Sequence, residues 1–176
     1  MKRRNVLLSF LLVVSFLFAV IGCGADGSAN FLQELSQSLG VDVSSGEILT
    51  QSDTHGGFHG DGTTVVEIQL TDSDLAKQIE ENGNGEWNEL PLTDNLTALV
   101  YGIHTEESSV GPMIHGGDNM PVIPEVENGY YYFLDRHSQS TDPKDDTKVL
   151  GRGSYNFTIA IYDADHQILY YMELDT

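Results

Sequence analysis

Two stretches of this chain carry the residue types that acid–base or metal chemistry needs. The first is His55-Gly56-Gly57-Phe58-His59-Gly60-Asp61-Gly62. Two imidazoles four positions apart, completed by Asp61, His104 or His115, would supply the tetrahedral donors that zinc takes. The helical HExxH motif also needs a glutamate base between its histidines. Gly56-Gly57 stands there instead, so that motif is excluded. The alternative is a glycine-rich turn whose histidines face solvent or bond backbone. The second stretch is Asp135-Arg136-His137-Ser138. Nucleophilic catalysis would need serine, histidine and acid to converge beside an oxyanion site, and the chain has no Gly-x-Ser-x-Gly elbow. The structural alternative is an ion pair between Arg136 and a neighbouring acid. His55, His59, Asp135, Arg136 and His137 are therefore the candidate ligand-binding residues. No catalytic residue and no cofactor is assigned, and His55 with His59 is the one candidate metal pair.

Other clusters carry less. Asp142-Pro143-Lys144-Asp145-Asp146 and Asp163-Ala164-Asp165 offer carboxylates. Calcium wants six to eight oxygens in an ordered loop pattern that neither stretch has, so they read as solvated loop acids. Tyr130, Tyr131, Tyr132, Tyr155, Tyr162, Tyr170 and Tyr171 concentrate in strand-like runs. Alternation would pack one set and leave the other as an exposed aromatic patch, unless cross-strand packing takes both.

Cys23 is the single cysteine, and it follows a distinctive start. Lys2, Arg3 and Arg4 precede an apolar run from Val6 to Ile21, broken only by Ser9 and Ser15. That is the layout of an export signal. Val20-Ile21-Gly22-Cys23 resembles a lipobox, which implies diacylglyceryl (palmitate-type) modification of the Cys23 thiol and cleavage after Gly22. Acyl chains anchor a domain because each buried CH₂ contributes about 0.8 kcal/mol. Residues 1–22 are then a lipoprotein signal peptide, 23–30 a lipidated cysteine and tether, and 31–176 a single acidic extracytoplasmic domain. With no second cysteine, that domain must rest on its core rather than on disulfides.

Beyond residue 22 the chain carries all 27 acids but only five of its eight lysines and arginines, a formal charge of −22. Such a surface repels nucleic acid and anionic lipid headgroups, and it can attract cations, basic peptides or a basic protein patch. The alternative is that the charge serves solubility and carries no partner information.

The elements that must position these residues are legible in outline. Phe31, Leu32, Leu35 and Leu39 repeat at helical spacing before Gly40. Gly46–Ser52 and Thr63–Leu70 read as strands. Thr71-Asp72-Ser73-Asp74 opens a helix carrying Leu75 and Ile79. Trp87–Leu92 is extended, and Asp94 is expected to cap a short helix from Asn95 to Tyr101. His104–Val122 has no period and reads as a long loop. Gly129–Asp135 is an aromatic strand, and Ser138–Arg152 a polar loop. Ser154–Tyr162 and Gln167–Leu174 form a hairpin. The order predicts an α+β fold: an antiparallel sheet of about five strands with two or three short helices on one face, after an N-terminal signal helix.

The runs SGEILTQSDTHGGFHGDGTT (45–64), WNELPL (87–92), GYYYFLDRH (129–137) and YNFTIAIYD (155–163) resemble an uncharacterised family of small Gram-positive lipoprotein ectodomains. The likeness spans roughly residues 45–176 and implies no activity. It places the expected anchor on the outer face of the cytoplasmic membrane. The expectation is a membrane-anchored binding or protective module for a peptide or protein at the envelope. The alternative is an envelope hydrolase or metalloprotein using the His55/His59 loop.

Overall fold

The computed structural model describes residues 25–56, 60–70, 74–82 and 85–176, with the side chains of 25, 26 and 82 left aside. The signal segment, Cys23 and His59 lie outside the described residues.

Six antiparallel strands form one sheet: β1 (Glu47–Asp53), β2 (Gly62–Gln69), β3 (Trp87–Glu89), β6 (Gly129–Asp135), β7 (Asn156–Asp163) and β8 (Ile168–Asp175), in the order β1-β2-β8-β7-β6-β3. A separate ribbon pairs β4 (Ile103–His104) with β5 (Ser109–Val110). The α-helices among the described residues are α1 (Ala25–Leu39), α2 (Leu75–Asn82) and α3 (Asp94–Val100). The α+β class and antiparallel sheet match the expectation, with six strands in the main sheet.

The helices occupy both faces, not one. Leu32, Leu35 and Leu39 of α1 and Leu75 and Ile79 of α2 pack with Val66, Ile68, Ala160, Tyr162, Leu169 and Tyr171. Leu96, Leu99 and Val100 of α3 pack with Phe157, Ile159, Ile161, Tyr170 and Met172 on the opposite face. Strand residues alternate between faces, and in β7 seven consecutive residues, Phe157–Asp163, are buried. A strand with one wet face would alternate apolar with polar; β7 does not, and that run carried the missed signal. Double coverage packs tyrosines of both alternating sets, the cross-strand alternative to an exposed aromatic patch. Tyr131 and Tyr132, on opposite faces, are 8% and 3% exposed.

Local chemistry fixes each helix. α1 begins at Ala25, so the stretch expected as tether is helical, with Gly27–Asn30 exposed to solvent. At its other end Gly40 takes φ +69°, and the indole Nε1–H of Trp87 donates to the Leu39 carbonyl at 2.9 Å. That bond satisfies an end-of-helix acceptor and anchors β3. In α2 the Asp74 carbonyl accepts the amide of Gln78; Thr71, Asp72 and Ser73 lie outside the described residues. Thr93, not Asp94, caps α3, its Oγ1 accepting from the Leu96 amide at 3.2 Å, while Asp94 sits in the first turn where the helix dipole favours an acid.

The segment His104–Val122, expected as a long loop, contains β5 and buries Ile114, with Ile123 just beyond the segment, against α3's side of the sheet. Its close approach needs Gly111, where a Cβ would lie 1.8 Å from the Ala98 carbonyl oxygen. The polar loop after Ser138 likewise holds a 3₁₀ turn, Val149–Gly151, with Val149 buried.

Candidate functional site

One residue of each sequence stretch reaches the same corner of the sheet, His55 from the first and Arg136 from the second. β1 and β2 bring His55 and Thr64 there, β8 brings Glu173 and Asp175, β7 brings Asn156 and Thr158, and the residue after β6 is Arg136. By alternation Thr64, Asn156, Thr158, Glu173 and Asp175 share the face that carries α1 and α2. They continue that face in polar form beyond the apolar cluster.

Asp175 is the hub. Its Oδ2 accepts from Arg136 Nη2 at 3.1 Å and lies 3.2 Å from His55 Nε2, while its Oδ1 accepts from Asn156 Nδ2 at 2.9 Å. Arg136 also donates through Nε to Thr158 Oγ1 at 3.1 Å and through Nη2 to the Phe157 carbonyl at 3.2 Å. Thr158 Oγ1 donates to Glu173 Oε1, which lies 3.7 Å from the same guanidinium. Burial alone would raise the Asp175 pKa. The bonds from Asn156 and Arg136, the guanidinium charge and His55 outweigh it and hold the carboxyl below its usual range.

His55 spans two carboxylates. Its Nδ1 is 2.8 Å from Asp53 Oδ1 and its Nε2 faces Asp175. The Asp53 bond, helped by Asp175 against the cost of burial, raises the His55 pKa above 6.5. Asp53 is lowered by the backbone N–H of His55 and by the ring. Thr64 Oγ1 stands 3.2 Å from the same Nδ1. Gly62 makes the fit possible: a Cβ there would come within 2.6 Å of the His55 backbone.

His59, the other half of the candidate metal pair, lies outside the described residues. The two carboxylates sit on opposite ring nitrogens of His55, and among the described residues no group of three or more His, Cys, Asp or Glu is placed to hold an ion. His104 and His115 bond within their own segment, to Ser109 Oγ at 2.7 Å and to the Gly116 carbonyl at 2.9 Å. Asp61 is exposed.

Asp135-Arg136-His137-Ser138 does not act as one corner. The side chains diverge with the strand's alternation. Arg136 turns to Asp175 on one face, and Asp135 is buried on the other, where Arg152 Nη1 donates to its Oδ2 at 2.5 Å. His137 meets Ser154, not Ser138, at 3.0 Å from Nε2 to Oγ. That distance suits a base and nucleophile, but the tautomer does not. The Gln139 amide donates to His137 Nδ1 at 3.1 Å, so a neutral ring carries its proton on Nε2. It donates to Ser154 and has no lone pair there to take the serine proton. Arg136 is ion-paired with Asp175 and Glu173 of β8, some forty residues away, partners that sequence spacing did not identify.

The acidic loops are turn chemistry. Asp142 Oδ1 accepts the Lys144 amide and Asp145 Oδ1 the Thr147 amide. Asp163 is buried, its Oδ1 holding the amides of Asp165 and His166. Sequence reasoning also missed an open groove of about 510 Å³ between α1 and α2, lined by Gln33, Ser36, Gln37, Ser44 and Gln78, with Asp42 the single ionisable group among its described lining residues. It carries amides and hydroxyls and no acid–base pair.

Of the five lysines and arginines beyond residue 22, four are in ion pairs: Lys77 with Asp74, Arg136 with Asp175 and Glu173, Lys144 with Glu86, and Arg152 with Asp135. The 27 acids far outnumber these five cations. Comparison with protein-family models, with curated proteins and with solved structures finds no match to this chain.

Proposed function

We propose that this chain is a membrane-anchored extracytoplasmic lipoprotein, held by acyl chains on Cys23 at the outer face of the cytoplasmic membrane. Its acidic domain is a non-catalytic binding or protective module for a cationic peptide or protein at the cell envelope. The observation that carries the binding half is electrostatic. Positive side chains are few and four of the five are tied up in ion pairs, so the domain presents a field of one sign. The polar corner around Asp175 supports a structural role for the residues that invited chemistry, because its donors and acceptors are spent on one another. The His137 tautomer supports the non-catalytic reading of the Asp135–Ser138 corner. The anchoring half rests on the basic start, the apolar run and Val20-Ile21-Gly22-Cys23. Among the described residues no helix is long and apolar enough to cross a membrane.

The test of binding is calorimetric titration of the full chain, in non-ionic detergent, with an oligolysine peptide at about 50 mM and about 500 mM salt. Exposed charges are screened beyond roughly 8 Å at physiological salt. Binding at low salt that weakens steeply at high salt supports the reading. Absence of binding at low salt rejects it.

A further inference from the structure

We propose that β1 is the docking edge: an extended cationic segment adds to it as a seventh strand. The inference rests on the reading of the domain as a module for a cationic partner, and it names where and how that partner binds. β1 ends the sheet order, and six of its seven residues are exposed. The Thr54 amide donates to the Thr63 carbonyl at 2.9 Å. Antiparallel alternation then turns the backbone of Ser52 and Thr50 toward β2 and that of Gln51 and Asp53 outward. Those outward N–H and C=O groups form a template for main-chain pairing.

The hairpin that carries β1 is held in place by His55, which bonds Asp53 on one side and Asp175 of β8 on the other. The far edge is different. β3 has three residues and runs into Leu90-Pro91.

Charge selects the occupant. Edge strands are commonly guarded by lysine or proline, and β1 has neither. No lysine or arginine occurs between residues 25 and 76, whereas Glu47, Asp53, Asp61 and Glu67 lie on or beside the hairpin. A lysine or arginine opposite Asp53 would sit about 5 Å away between Cβ atoms. Leu49, 46% exposed at the bulge between Ile48 and Thr50, adds one apolar contact. A second copy of this chain would bring acid against acid.

The probe is the peptide acetyl-KVKVKVK-amide, compared with the same peptide N-methylated at every backbone nitrogen, which keeps the charge and cannot pair as a strand. Both are titrated against the full chain in non-ionic detergent, and against Gln51→Pro and Gln51→Ala, with amide hydrogen exchange followed at Gln51 and Asp53. Strand addition predicts that N-methylation or Gln51→Pro weakens binding at least about tenfold. Gln51→Ala is neutral, and the Gln51 and Asp53 amides gain protection on binding. Equal binding of both peptides with unprotected amides overturns strand addition while leaving the cationic-partner reading standing. Binding of neither peptide overturns both. If Gln51→Pro fails to fold, the peptide comparison and the exchange data on the parent decide. A dimer that forms without peptide and protects the same amides assigns the edge to a second copy and overturns the proposal.

Discussion

Replacing Arg152 by methionine should cost this domain about 3–5 kcal/mol, a large part of the roughly 5–15 kcal/mol that holds a domain together. Arg152 and Asp135 are almost wholly buried at the side chain, 9% and 1% exposed, and meet at 2.5 Å. Asp135 Oδ1 accepts the His137 amide at 3.1 Å, so the carboxylate is fully engaged. Methionine fills similar space but leaves that carboxylate buried without its counter-charge. An exposed pair would cost only about 0–1 kcal/mol to lose. The double variant Arg152→Met/Asp135→Leu removes the orphaned charge and should lose only the bond to the His137 amide, about 0.5–1.5 kcal/mol. Urea unfolding followed by the fluorescence of Trp87, the single tryptophan, measures both. The reasoning is refuted if Arg152→Met costs under about 1 kcal/mol, or if the double variant is as damaged as the single one.

Three further outcomes follow from the packing and from the polar corner. NMR titration of His55 should give a midpoint above 6.5, and Asp53→Asn should bring it down, since the Asp53 bond is the main cause of the shift. A raised histidine contributes stability below its unfolded value of about 6.5 and loses it as pH rises through the folded one. Asp53 and Asp175, both lowered, contribute above about 3.8 and lose it as pH falls. Hydrogen-exchange protection near His55 should therefore be greatest between about pH 4 and 6.5, and a flat profile would reject the paired geometry. Gly129→Ala should prevent stable folding, because φ is +144° and the added Cβ would lie 1.8 Å from the Tyr162 carbonyl oxygen; Gly151→Ala, with open space around it, should leave the urea midpoint unchanged. Thr93→Ala should cost about 1 kcal/mol through the lost cap of α3, while Asp94→Ala should cost less, a ranking that urea midpoints would read directly.

Much of the fold was readable because local patterns carry it. Leu32, Leu35 and Leu39 announce α1, and the β7–β8 hairpin shows in runs of apolar and aromatic residues around Asp163–His166. What local pattern cannot carry is pairing at a distance. Nothing in the sequence around Arg136 names Asp175 as its partner, because register between β6, β7 and β8 decides it. The second covered face was missed for a related reason. Its cover is α3 together with Ile114, from a segment with no period, and Ile123 just beyond it, so only the unbroken burial of β7 betrayed it. Ser154 escaped notice because Ser138 stands next to His137 in sequence, whereas the chain folds Ser154 onto the ring. Thr93 was passed over for Asp94 although both are good caps, and only the backbone of the first turn distinguishes them.

The central claim is that an acidic domain is held at a membrane by lipid on Cys23. Metabolic labelling with palmitate, followed by separation of membrane from soluble fractions, tests it on the parent chain and on Cys23→Ala. The account predicts label and membrane retention for the parent. For Cys23→Ala it predicts no label and an uncleaved chain, because the peptidase step follows lipid transfer in lipobox proteins. An unlabelled parent, or label that persists in Cys23→Ala, would contradict it.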